Sequence, residues 1–147
     1  MRIEVVQLEH AADLPLPAYA TDGAAGMDVH AANSDAIAIQ PGGIVMIPTG
    51  LTVAIPLGFE CQVRSRSGLA AKHGVFALNA PGTIDSDFRG EVHVILANMS
   101  ATAFVVERGM RIAQLVVAKY ETVQWDSVTA LSETNRGSGG FGSTGVS

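Results

Sequence analysis

Short Val- and Ile-rich runs, separated by glycine and proline, restrict this chain to a fold built of strands. The runs are Ile3–Leu8, Ile44–Ile47, Leu51–Ile55, Phe59–Arg64, Val92–Ala97, Phe104–Val106 and Ile112–Ala118, rich in residues that suit pleated surfaces. Val92, Val94 and Leu96 alternate with His93, Ile95 and Ala97, the period-two pattern of a strand. Pro41-Gly-Gly43, Pro48, Pro56-Leu-Gly58 and Glu107-Arg-Gly109 punctuate the runs as turns. Only Ser67–Gly74 reads as helix. Ser67 is placed to cap it, and Gly74 to end it in a left-handed conformation. No internal repeat or interdomain linker is visible. The expectation is one all-β domain, a sandwich or barrel with one small helix.

Composition excludes several function classes. At 147 residues and 48% apolar, the chain can bury a core. A net charge of −5 argues against general nucleic-acid binding, which draws its affinity from neutralising phosphates. No apolar run approaches the roughly 20 residues that span a bilayer. The start, Met1-Arg-Ile-Glu4, carries an acidic residue where a signal peptide is apolar. Lone Cys61 allows no internal disulfide, which fits a reducing compartment. A cytoplasmic protein with neither a nucleic-acid nor a membrane partner is expected. His10, His30, His73 and His93 lack metal-ligand spacing.

Two further patterns bear on assembly and ligands. Val94-Ile95-Leu96 and Val116-Val117-Ala118 are apolar on both faces, whereas a lone sandwich leaves one face wet. A subunit interface would cover that second face; loops or the N-terminal segment are the alternative. The last twelve residues, Arg136–Ser147, hold five glycines and cannot form core. They suit either a plain Gly/Ser tail or an arm that closes over a phosphate-bearing, flat-ringed ligand with a guanidinium, a ring and backbone N–H groups. The spacing Gly137-x-Gly139-x-x-Gly142 mimics a dinucleotide fingerprint, but no strand–helix unit surrounds it.

Four internal constellations accompany the arm. Ala25-Gly-Met-Asp-Val29 sets a carboxylate at the start of a strand. Arg64-Ser-Arg-Ser-Gly-Leu69 puts guanidinium, hydroxyl and N–H groups where a helix begins, which favours anions. Asn79–Gly90 is a turn-rich hairpin with an amide, two carboxylates and a ring, and Gly109–Gln114 adds a guanidinium and an amide. Each alone has an ordinary reading as turn, loop or surface charge. Together, their order and spacing resemble the motifs of the trimeric dUTPases (deoxyuridine triphosphate nucleotidohydrolases). The combination of Gly82-Thr-Ile-Asp-Ser-Asp-Phe-Arg-Gly90 with Arg136-Gly-Ser-Gly-Gly-Phe-Gly142 carries most of it.

The resemblance implies a homotrimer of distorted jelly-roll (β-clip) barrels, with residues 1–135 as the barrel domain and 136–147 as a mobile C-terminal arm. It implies Mg²⁺-dependent hydrolysis of dUTP to dUMP and pyrophosphate, limiting uracil in DNA and supplying dUMP for thymidylate synthesis. By similarity, Asp85 would align and deprotonate the attacking water. Asp28 would act on Mg²⁺ through water, the ion being held mainly by the triphosphate. Arg66, Ser67, Gly68 and Gln114 would hold phosphates, with Gln114 acting in catalysis. Asn79, the Gly82-Thr83-Ile84 backbone and His93 would read uracil. Phe88 would lie against deoxyribose, where most relatives carry tyrosine. Phe141 would stack on uracil, Arg136 would reach the terminal phosphate, and Gly142, Ser143 and Thr144 would add donors. One subunit would supply Asp28, Arg66 and Gln114, a second the uracil hairpin, and a third its arm.

Two other classes are weighed against this one. A deaminase of the same architecture needs a catalytic glutamate near the substrate amine, and neither Arg66-Ser-Gly68 nor Asn79–Phe88 offers one. A non-catalytic nucleotide-binding protein has no need of both Asp28 and Asp85.

Overall fold

The computed structural model describes residues 1–140, so Phe141, Gly142, Ser143 and Thr144 of the expected arm lie outside the described residues. The strands are β1 (Glu4–Gln7), β2 (Ala18–Tyr19), β3 (Met27–His30), β4 (Ile37–Ile39), β5 (Ile44–Pro48), β6 (Leu51–Ala54) and β7 (Phe59–Ser65). One helix, α1 (Ser67–His73), precedes β8 (Val75–Ala77), β9 (Gly82–Ile84), β10 (His93–Asn98), β11 (Phe104–Val106) and β12 (Arg111–Lys119). The order β2-β3-β12-β7-β9 makes the largest sheet, flanked by β5-β10-β8 and by the pairs β1-β6 and β11-β4. All of these pairings are antiparallel. Each sheet sends side chains to one core, in which Val29, Ile39, Ile47, Val75, Val94, Leu96, Val106 and Ile112 are fully buried.

The expected strands form, with ends displaced by a residue or two. The strands the sequence left unmarked, β2, β4, β8 and β9, are two or three residues long, too short for alternation to register. Two readings need correction. Ser67 is not the helix cap: Arg66 occupies that position in extended conformation, with no side-chain capping bond, and Ser67 is the first helical residue. The Arg66 side chain, which has no acceptor to offer the helix, bonds instead to Asp28 and the Arg111 carbonyl, and its extended backbone is the usual one for that position. Gly74 does close the helix in left-handed conformation, at φ 63°.

Asn79–His93 is also not a hairpin. β9 pairs with β7, whereas β10 pairs with β5 and β8. The intervening chain is therefore an arch between two sheets, tied at its base where β8 and Leu78 pair with β10.

Gly50 locks the β5–β6 turn. It sits at φ +67°, and a Cβ there would run into the Ala11 Cβ. Gly50→Ala is expected to destabilise the fold by about 2–4 kcal/mol, combining a left-handed non-glycine residue with overpacking. The check is a lowered urea midpoint at unchanged slope.

Cys61, 2% exposed on β7, is a core residue. Burial, with Glu60 adding to it, pushes its thiol up to about 11, so it is a poor nucleophile. Among the described residues, no helix is long and apolar enough to cross a membrane. Beyond β12, residues 120–138 are all exposed.

Candidate functional site

The expected residues gather at two places. The first is a cleft of about 320 Å³ between the arms of the arch, lined by Asn79, Gly82, Thr83, Ile84, Asp85, Phe88 and His93 together with Met46, Val63, Glu91, Val92 and Ile95. β9 hangs on β7 through Gly82↔Val63, Thr83↔Gln62 and Ile84↔Cys61, which delivers Asp85 to the cleft at the end of the strand. A Cβ at Gly82 would lie 2.9 Å from the Asn79 side-chain nitrogen, so glycine leaves that amide its present place. The Phe88 ring lies across Gly90, where a Cβ would come within 2.7 Å of it. Arg89 ties the loop by donating to the Ser86 and Phe88 carbonyls, both at 2.7 Å.

The other wall presents backbone. Val92 donates to Leu51 and its carbonyl accepts from Thr49, so its polar groups face the β5–β6 turn. In an antiparallel strand the next residue faces the opposite way. The N–H and C=O of His93 therefore point toward β8, which has already ended at Ala77. One donor and one acceptor, side by side on a backbone, face a site with an amide (Asn79) close by. That set suits a flat ring edge carrying both an N–H and a carbonyl.

The second place is charged. Asp28, on β3, accepts from Arg66 Nε at 3.0 Å, Arg111 Nη1 at 3.0 Å and Gln114 Nε2 at 3.4 Å. Gln114 sits opposite both Asp28 and Arg64 in register. An irregularity in β12 between Arg111 and Ala113 shifts the strand, so that residues three apart reach the same carboxylate. Gly26 leaves the room that the Gln114 side chain occupies, a Cβ there being only 3.3 Å away. Burial, outweighing the Asp28 charge, holds the His30 imidazole below its ordinary value, so it adds no charge near neutrality. Two guanidiniums share one carboxylate, which leaves a positive surplus beside the exposed Ser67 and Gly68. Such a cluster attracts a multiply charged anion.

Within one chain the two places are separate. Asp85 follows β9 at the Glu60 end of β7, while Arg66 follows Ser65 at the opposite end, a backbone separation of roughly 20 Å by strand rise. Arg136 is farther along the exposed C-terminal segment, its Nε donating to the Gly139 carbonyl at 2.8 Å. Sequence reasoning left Arg111 and Glu91 out of the site. Arg111 had a visible signal, a guanidinium three residues before Gln114; Glu91 had none, because its partners lie far away in sequence.

Comparison with known proteins identifies the family. The dUTPase family profile matches residues 12–145. The deoxyuridine 5'-triphosphate nucleotidohydrolase of Rickettsia felis is 58% identical over 131 residues, covering 89% of this chain and 88% of its own. That of Rickettsia bellii is 59% identical, covering 89% and 87%. Among solved structures, a Staphylococcus bacteriophage 80alpha dUTPase variant with dUpNHpp superposes at a TM-score of 0.86, with 24% identity and 99% coverage of both chains. A variant of the phage phi11 dUTPase, described with a structural Mg(II) ion, superposes at 0.77 with 19% identity, covering 90% of this chain and 100% of its own. At those identities the structural likeness speaks for the fold alone, whereas the sequence matches extend to the family. This chain belongs to the dUTPase family, the deoxyuridine 5'-triphosphate nucleotidohydrolases.

Proposed function

We propose that this chain hydrolyses dUTP to dUMP and pyrophosphate, as a homotrimer whose sites draw on more than one subunit. The observation that carries the reading is the cleft, which unites Asn79, Asp85, Phe88 and the outward-facing His93 backbone. Uracil offers two carbonyls flanking one N–H. The His93 C=O accepts that N–H, the His93 N–H donates to one carbonyl, and Asn79 takes the other. Cytosine replaces a carbonyl by an amine and leaves a buried group unpaired, costing roughly 1–3 kcal/mol.

Hydrolysis needs this cleft to meet the Asp28–Arg66–Arg111–Gln114 cluster. The separation along β7 supports a neighbouring subunit as the supplier. So do the exposed apolar side chains: Ile44 and Met46 on β5 are 59% and 62% exposed, and the N-terminal strand β1 leaves its own Val5 and Val6 uncovered. In the joined site, Asp85 holds a water in line with the α-phosphorus and accepts its proton as the new P–O bond forms. Arg66, Ser67, Gly68 and Gln114 hold the phosphates as the bond to the β-phosphate breaks and pyrophosphate leaves. Phe141, Arg136 and the Gly142-Ser143-Thr144 segment close the site as the arm, residues 136–147.

The donor set fits magnesium. Among the described residues no three His, Cys, Asp or Glu side chains form a metal cage, and both Asp28 oxygens are hydrogen-bonded. A hard cation that keeps its waters and binds triphosphate oxygens needs only an outer carboxylate, the place of Asp28. Bound there, Mg²⁺ would offset the triphosphate's charge. The physiological roles are restricting uracil in DNA and supplying dUMP for thymidylate synthesis, in the cytoplasm.

The test is pyrophosphate release from dUTP, dTTP, dCTP and UTP, with and without Mg²⁺. A strong preference for dUTP is expected; equal rates would overturn the reading. Sugar choice gives a second check. Gly90→Ala should push the Phe88 ring off its seat and lower the dUTP/UTP ratio of kcat/KM by about tenfold.

A further inference from the structure

Glu91 lines the cleft, touches no part of the proposed chemistry and makes side-chain connections that add to the backbone bonds placing one wall. Its Oε1 accepts from the Gly50 N–H at 2.7 Å and lies 3.1 Å from His10 Nε2. Its backbone carbonyl contacts His93 Nδ1 at 3.0 Å. Beside it, the Thr49 hydroxyl donates to the Val92 carbonyl at 2.6 Å. Gly50 is buried, so its N–H has no water to fall back on, and its turn is already fixed by the close approach of Ala11. The arch has one arm on β7 and the other on β5 and β8. Asn79 follows Leu78, whose N–H donates to the Ile95 carbonyl, so the β8–β10 ladder fixes the far end of this wall. Its near end, residues 91–93, is held by the Val92 backbone bonds to Thr49 and Leu51 and by the Glu91 carboxylate on a rigid turn.

We infer that Glu91 is a positioning residue: by anchoring residues 91–93 to the Thr49–Gly50 turn, it sets the spacing of the base-reading wall and hence nucleobase selectivity. The inference rests on the cleft being the uracil site. Its readout is the dUTP/dCTP ratio of kcat/KM in the full-length trimer, which does not depend on how much enzyme is folded. Glu91→Ala should lower that ratio about tenfold, chiefly through a higher KM for dUTP, by orphaning a buried donor. Glu91→Gln, which keeps the acceptor oxygen, should stay within about twofold of wild type by the same reasoning.

Should Glu91→Ala prove insoluble, Glu91→Asp carries the test, because it keeps the charge but withdraws the acceptor from Gly50; its ratio should also fall. An unchanged ratio in Glu91→Ala or Glu91→Asp, with only the urea midpoint lowered, would make Glu91 a structural clamp and overturn the inference. Equal damage in Glu91→Gln and Glu91→Ala would also overturn it. Wild-type enzyme without a dUTP preference would instead remove the functional reading itself, a distinct outcome read from the same assay.

Discussion

Replacing Asp85 with asparagine is expected to lower turnover of dUTP by about 10²–10⁴-fold, the range for a lost general base. The substitution keeps the side chain's shape and removes its capacity to take a proton. Asp85 is exposed in the single chain, at the end of β9, and packs into no core, so stability should change by less than about 0.5 kcal/mol. Binding should persist as well, because the groups proposed to read the ring are Asn79 and the His93 backbone. The measurement pairs single-turnover hydrolysis with titration of a non-hydrolysable dUTP analogue. Lost affinity at normal turnover would reassign Asp85 from chemistry to binding.

Truncation before Arg136 is the second large effect. Residues 120–138 are exposed throughout, so cutting at 136 removes no packing from the core and should leave the thermal midpoint in place. Activity should fall because the proposed phosphate contact of Arg136 and ring stack of Phe141 would be lost together. At about 2–4 kcal/mol combined, that is roughly 30- to 1,000-fold in kcat/KM. A truncated chain that melts early would show the arm to be structural.

The two lesions also test the shared site. Asp85 and Arg66 lie at opposite ends of β7 in one chain, so mixing Asp85→Asn chains with truncated chains should assemble some sites with intact parts from both. Recovered activity above either parent is expected; no recovery would place Asp85 and the arm of a given site in the same subunit.

Much of this architecture was legible before any coordinates. Runs such as Ile112–Ala118 and Val92–Ala97 showed their strands through several consecutive Val, Ile and Leu residues, which suit a pleated surface. Gly74 announced the helix end, since only glycine takes that backbone without cost. The short strands β8 and β9 were illegible because three residues carry no period; β11, equally short, showed only through its Phe-Val-Val composition. The Asn79–His93 segment looked like a hairpin because turn residues report a reversal of direction. They do not report which strands then pair.

Sequence alone determined the residue types, their order, and with them the family and the chemistry that Asp28, Asp85 and the arginines can perform. Tertiary structure decided which groups share a carboxylate. Arg66, Arg111 and Gln114 converge on Asp28 because β3, β12 and the end of β7 are neighbours and β12 shifts register, facts written in no local pattern. It also decided that the His93 backbone faces a cleft and that Glu91 reaches Gly50. Hydrogen bonds between residues distant in sequence depend on register and sheet membership, and those are settled only when the whole core closes.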